Sequence, residues 1–179
     1  MNSSGASVKT RTSNRSERSA RARGEGLYHE AMLKRSLALP VSAIGRDVGA
    51  ALLAELDKRM SGRCVAEGYV KPESLELVQH SGAKLVGDQA VFAADVACQV
   101  CLPVEGMEIQ CIAEDVTKAG VRAKAADEPS PVVVFVARDH NNTSEAFSKV
   151  VPGDRIRARV IGQRFELNDP YVSVIAELA

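Results

Sequence analysis

Polar and apolar positions alternate most regularly near the end of the chain. Across residues 153–162, Ile156, Ala158 and Val160 are interleaved with Arg155, Arg157 and Arg159. After the turn-forming Asn168-Asp169-Pro170, a second β-branched run follows over 171–178. Side chains of a strand point alternately to opposite faces, so the pattern predicts two strands, the first with an apolar face toward a core and a row of guanidiniums on the other. A row of arginines on a strand is equally what a solvated outer face looks like, where charge discourages pairing with foreign strands.

Upstream, the run 32–39 ends at Pro40, which predicts a strand whose boundary the proline sets. In 46–60, Val48, Leu52, Leu56 and Met60 recur four apart, with Glu55 and Arg59 on the other side; this predicts a helix closed by Gly62. Strand-like runs follow at 63–66, 75–79 and 91–102, separated by turn signals at Glu67-Gly68, Lys71-Pro72 and Ser81-Gly82. Together they make a small α+β unit ending near Pro103. Beyond Gly106 every predicted element is β: 107–116, 119–125, the continuous apolar run 131–137, read as a strand buried on both faces, and the two strands described first. The loop 138–152 has room for a helical turn at 144–147. Five strands with one longer insertion between the third and fourth is the layout of an OB-fold barrel.

Composition adjusts this picture in three ways. The 179-residue chain has no tryptophan and few aromatics, which leaves little material for stacking platforms or aromatic cages. It is formally neutral, yet residues 1–25 carry six basic side chains against two acidic ones, a net +4 that leaves −4 for the remainder. Attraction of the body to a polyanion must therefore come from local clusters or from the tail. The tail is Ser-, Arg- and Ala-rich with one large apolar residue, Val8, and is expected to be disordered. No secretory leader or membrane-spanning run stands out, so an intracellular protein with reduced thiols is expected, and the sequons at Asn141 and Asn142 read as a polar loop.

Candidate chemistry is sparse. Cys98-Gln99-Val100-Cys101 has the spacing of half a zinc site, but Cys64 and Cys111 are isolated and no second pair follows. Residues three apart on a strand face opposite ways, so the two thiols are read as buried small hydrophobes and no metal is expected. His29, His80 and His140 are scattered, Gly24-Glu25-Gly26 lacks a third glycine and a preceding strand, and the acid pairs Glu114-Asp115 and Asp127-Glu128 sit at strand ends and turns. No catalytic residue and no cofactor site is identified, and the chain is read as a non-enzyme.

The order Gly106, Val116-Thr117-Lys118-Ala119-Gly120-Val121, Val134-Phe135-Val136-Ala137-Arg138, Val151-Pro152-Gly153-Asp154 and Ile175-Ala176-Glu177-Leu178 resembles the ribosomal-protein S-one type of OB-fold RNA-binding domain. Adding Met60 to Tyr69 and Val100 to Gly106, the chain from about 27 to 179 is similar to the seventh, stalk subunit of RNA polymerase II and to its archaeal counterpart. In wording, Val134 to His140 and Gly162 to Asp169 most resemble the versions of large nucleocytoplasmic DNA viruses.

The resemblance implies a basic tail (1–25), an N-terminal tip domain (26–104) that docks on the core polymerase, and an OB-fold RNA-binding domain (105–179) near emerging RNA. It also implies a fourth-subunit-like partner, a place in transcription, and a virion, virus-factory or nuclear location. By position, the tip loops would use Glu67, Gly68, Tyr69, Pro72, His80 and Gly82 for docking. Nascent RNA would meet Lys118, Arg122, Lys124, Arg155, Arg157, Arg159 and Arg164. The second barrel strand, Val121-Arg122-Ala123, lacks the aromatic such domains often carry there, so RNA contact is expected to be mainly electrostatic. An exosome-cap or translation-factor OB protein would share the barrel but not the tip unit; a pure assembly protein would turn the arginine row toward acidic partner surface.

Overall fold

The computed structural model describes residues 26–126, 130–141 and 145–179. The described chain is mostly β with few helices, and it is built around two hydrophobic cores. The acid pair at 127–128 and the tail at 1–25 lie outside the described residues.

The first core belongs to a six-stranded sheet. Its spine is β6 (Gln89–Cys101), which pairs along its whole length with β1 (Tyr28–Pro40). On its other side β6 takes, in succession, β5 (Lys84–Val86), β4 (Glu76–His80) and β3 (Gly68–Val70), with β2 (Cys64–Val65) beyond β3. Helix α1 (Val48–Met60) lies against one face of this sheet. Its stripe of Leu52, Leu56 and Met60 is buried with Leu33, Leu37, Phe92 and Val96. Asp47 caps the helix by accepting from the Ala50 N–H at 2.9 Å, Arg59 pairs with Glu55 one turn earlier, and Gly62 leaves it at φ +68°.

The sequence places β1, α1, β2, β4 and β6 correctly and misses two strands. β3 begins where a turn is expected, because Gly68 at φ +126° starts a strand instead of merely linking two. β5 is three exposed residues and carries no periodicity to read.

The second core fills a closed five-stranded barrel of β7 (Glu108–Val116), β8 (Gly120–Ala125), β9 (Val132–Ala137), β10 (Arg155–Arg164) and β11 (Val172–Leu178). The order around it is β10-β11-β9-β8-β7, closed by β10 on β7; β11 runs parallel to β9 and every other pair is antiparallel. This topology, with a short helix α2 (Glu145–Ser148) in the connection from β9 to β10, is consistent with an OB-fold. Extra residues in β7 and β10 shift the register between Ala113 and Asp115 and between Val160 and Gly162, bending those strands around the barrel. Ile156, Ala158 and Val160 point inward and Arg155, Arg157 and Arg159 outward, as the alternation predicts.

β9 departs from the expectation of a strand buried on both faces. Val132, Val134 and Val136 are buried, whereas Phe135 is 38% exposed. An apolar run hides its alternation when the outward positions are apolar too. Asn141 is a second departure: rather than standing in a polar loop it is buried, donating from Nδ2 to Ala137 O at 2.8 Å and accepting from Leu178 N–H at 2.9 Å. It ties the end of β9 to the last strand.

The two units are stitched together. The loop between β10 and β11 lies along β2, with Cys64 N–H donating to Asp169 O and Asn168 N–H to Cys64 O, each at 2.8 Å. Leu27, just before β1, and Cys64, Tyr69 and Cys101 from the sheet join the barrel's core, while Cys98 belongs to the sheet's own core. Cys98 and Cys101 thus face different cores, and among the described residues no group of metal-ligating side chains forms a site.

Candidate nucleic-acid interface

The barrel's outer wall brings Arg155, Lys124 and Arg122 onto neighbouring positions of one face. Arg155 on β10 stands opposite Ile112 on β7, Ile112 opposite Lys124 on β8, and Lys124 opposite Val133 on β9. In the next row, Arg122 on β8 stands opposite Phe135, and Phe135 opposite Ile175 on β11. Directly opposed residues on one sheet face have Cβ atoms about 5 Å apart, so Arg122 and the Phe135 ring are immediate neighbours. The face across β8 and β9 is therefore basic on one side, with Arg122 and Lys124, and apolar on the other, with Phe135 and the half-exposed Ile175.

Gly120 explains how the ring lies where it does. A Cβ there would collide with the Val136 carbonyl and come within 2.8 Å of the Phe135 ring, so only glycine lets the ring lie across the start of β8. Sequence reasoning misses Phe135 because it sits inside an unbroken apolar run; the aromatic residue itself, flanked by smaller valines, is the available sign.

The loop carrying Lys118 is held from both ends. Thr117 N–H donates to Gly120 O at 2.9 Å, Thr117 Oγ1 accepts from Gly120 N–H at 3.3 Å, and Arg138 Nε donates to Lys118 O at 2.7 Å. The guanidinium of Arg138 also covers the Phe147 ring at 5.2 Å. Lys118 thus presents an exposed ammonium from a braced backbone at one end of the β8–β9 face.

The predicted cations are not equivalent. Arg159 is held between Glu108 and Glu177, each at 3.5 Å, and Arg164 reaches Glu166 at 3.3 Å. Arg122 and Lys124 share Glu114 at 3.9 and 4.0 Å, long contacts between half-exposed groups that are worth little and yield readily to a phosphate. Among the described residues no acid lies within ion-pair distance of Lys118, Arg155 or Arg157. The strongest positive positions are thus Lys118, Arg122, Lys124, Arg155 and Arg157, with Arg159 largely neutralised by the chain's own acids.

The residues expected at the docking loops divide more sharply. Gly68 is buried, and a Cβ there would lie 2.6 Å from Cys101 O; Tyr69 is buried too. Glu67 is bound by Arg35 through contacts of 3.1 and 2.5 Å, and this hydrogen bond is the main reason its carboxyl is held below the usual range. These three serve the protein's own packing, because the turn from β2 to β3 folds back onto the sheet instead of projecting from it. Pro72, His80 and Gly82 are exposed. Beside the last two, β4 and β5, which lie one after the other along β6, show Val78, Leu85 and Val86 to solvent at 52, 68 and 55% exposure.

No family model matches the chain, and no curated protein matches it either. No helix among the described residues is long and apolar enough to cross a membrane.

Proposed function

We propose that the protein is a non-catalytic stalk subunit of a DNA-dependent RNA polymerase. Its N-terminal sheet unit acts as the tip that docks on the core enzyme, and its barrel guides nascent RNA. The observation that carries this reading is the β8–β9 face, where Arg122 and Lys124 adjoin an exposed aromatic, Phe135, at the place where OB-type barrels take single strands. RNA contact combines phosphate attraction with one stacking position, which makes it tolerant of sequence.

Docking is assigned to the exposed apolar edge formed by β4 and β5 with His80 and Gly82, since Val78, Leu85 and Val86 would leave water on binding. The stitched loop between β10 and β11 supports a rigid link between the docked tip and the RNA face. A fourth-subunit-like partner and the largest polymerase subunits complete the assembly, and the resemblance in wording favours a viral member of the family.

Affinity purification of the tagged full chain from its native cell, followed by mass spectrometry, tests the reading. Core polymerase subunits are expected in stoichiometric yield. Recovery with ribosomes or a phosphorolytic ring, and none with polymerase, overturns it. The position of Arg159 between two acids favours a second reading, in which this part of the wall meets protein. Under that reading, Arg157→Glu with Arg159→Glu abolishes subunit binding and leaves RNA crosslinking unchanged.

A further inference from the structure

The one long strand of the sheet with a single neighbour is β1. It pairs with β6 over all 13 of its residues, and no described strand pairs with its other edge. The register with β6 fixes which of its backbone groups face that edge. Val41 N–H donates to Asp88 O at 3.0 Å, one step beyond the Pro40–Gln89 pair, so odd-numbered positions of β1 turn their N–H and C=O toward β6.

The even positions confirm the assignment from the opposite side. Gln99, opposite Glu30, directs its own groups away from β1, to Lys71 N–H at 2.9 Å and Ser74 Oγ at 3.1 Å. Ala93, opposite Ser36, likewise bonds with Ser81 through contacts of 2.8 and 3.0 Å. Glu30, Met32, Lys34, Ser36 and Ala38 therefore point N–H and C=O outward, and all five side chains are exposed. The Lys34 carbonyl accepts from its neighbour Arg35 Nη1 at 3.0 Å, an exposed contact that a ladder bond can replace.

A free edge of about 40 Å, at about 3.4 Å per residue, is a template for strand addition, and proteins usually blunt one with bulges, internal prolines or shortness. Here the register with β6 is unbroken and the proline stands only at the end. The edge sequence also suits itself. Antiparallel pairing about a twofold at Met32 sets Lys34 opposite Glu30 of the second copy, twice, and Ser36 opposite Tyr28 of the second copy. Met32, 59% exposed, meets itself at the centre. A twofold at Lys34 instead opposes like charges, and one farther along brings Pro40, which has no N–H, into the ladder.

We infer that β1 is a self-association edge, through which two copies of this chain join their sheets about a twofold centred on Met32. The interface is isologous and closes as a dimer, because each copy has one such edge. Such a dimer requires nothing of the proposed function.

Sedimentation velocity on the purified full chain tests it. A concentration-dependent dimer is expected. Glu30→Lys and Lys34→Glu should each weaken it by about tenfold, since each turns two attractive pairs into repulsive ones. Mixing the two variants, or combining both changes in one chain, should restore it. Met32→Pro removes an outward N–H and should abolish the dimer, with a circular-dichroism melt showing the fold intact. A spin label at position 32 in a Met32→Cys variant should report the shortest inter-copy distance of any position along β1. A monomer at every concentration overturns the inference. So does a dimer indifferent to all three substitutions, or a β1 edge protected only when a different protein is added.

Discussion

Single side chains decide whether the β8–β9 face exists. Gly120→Ala drives a methyl against the Val136 carbonyl and the Phe135 ring, so it should destabilise the protein by about 1–3 kcal/mol and displace the ring. A denaturant midpoint together with weakened RNA binding would show both effects. Phe135→Ala removes the ring and leaves the backbone free, so it should cost roughly 1–3 kcal/mol of RNA affinity with little change in melting temperature. Fluorescence anisotropy on a labelled oligonucleotide reads this. Arg122→Glu should instead make binding less sensitive to salt, lowering the slope by about 0.7 for each phosphate that is no longer neutralised.

Buried thiols give the fold a pH limit. Burial pushes Cys64 up to about 11 and Cys111 up to about 12, from an ordinary value of 9.0. In the unfolded chain these thiols ionise near the ordinary value while the folded protein keeps them protonated. Stability is therefore whole below pH 9 and should fall as pH rises toward 11, by about 1.4 kcal/mol per pH unit for each thiol. Urea titrations at pH 8, 9 and 10 would measure the decline, and Cys111→Ser should flatten it. Little of this residue-scale detail was legible in the sequence. Phe135 was hidden by its valine neighbours, and burial of Asn141 depends on Leu178, 37 residues away.

Among the elements, the loop from β10 to β11 has the largest consequence. Asn168 adopts φ +71°, a conformation that asparagine tolerates and β-branched residues do not, and its N–H reaches Cys64 O. Asn168→Val should cost about 1–2 kcal/mol and loosen the seam between the units, whereas Asn168→Gly should be nearly neutral. Hydrogen exchange at the amides of Cys64 and Asn168 would detect the loosening. The turn chemistry of Asn168-Asp169-Pro170 was legible; its docking onto β2 was not, because nothing local to either segment encodes a contact across a hundred residues. Strands with strong alternation, such as β10, were readable, and β1 was readable from its proline boundary. β3 and β5 were not, since three residues are too few to show a period.

At the scale of the molecule, the barrel after Gly106 emerged from strand count and insertion length, and closure then settled what sequence left open, the relation of the arginine row to β8. The row shares one wall with Arg122 and Lys124, but acids interleave along it, so the cationic character is concentrated toward β8 and toward Arg155 and Arg157, which have no acid within ion-pair distance among the described residues. Under the proposed function, a sheet that docks and a barrel that faces RNA, joined by backbone bonds, would hold a transcript at a fixed distance from an enzyme surface. The most direct measurement of that account is ultraviolet crosslinking of the purified full chain to single-stranded RNA, followed by peptide mapping. The account predicts crosslinks within 118–137, including Phe135, and their loss in Phe135→Ala; crosslinks confined to the N-terminal sheet or to residues 1–25 would contradict it.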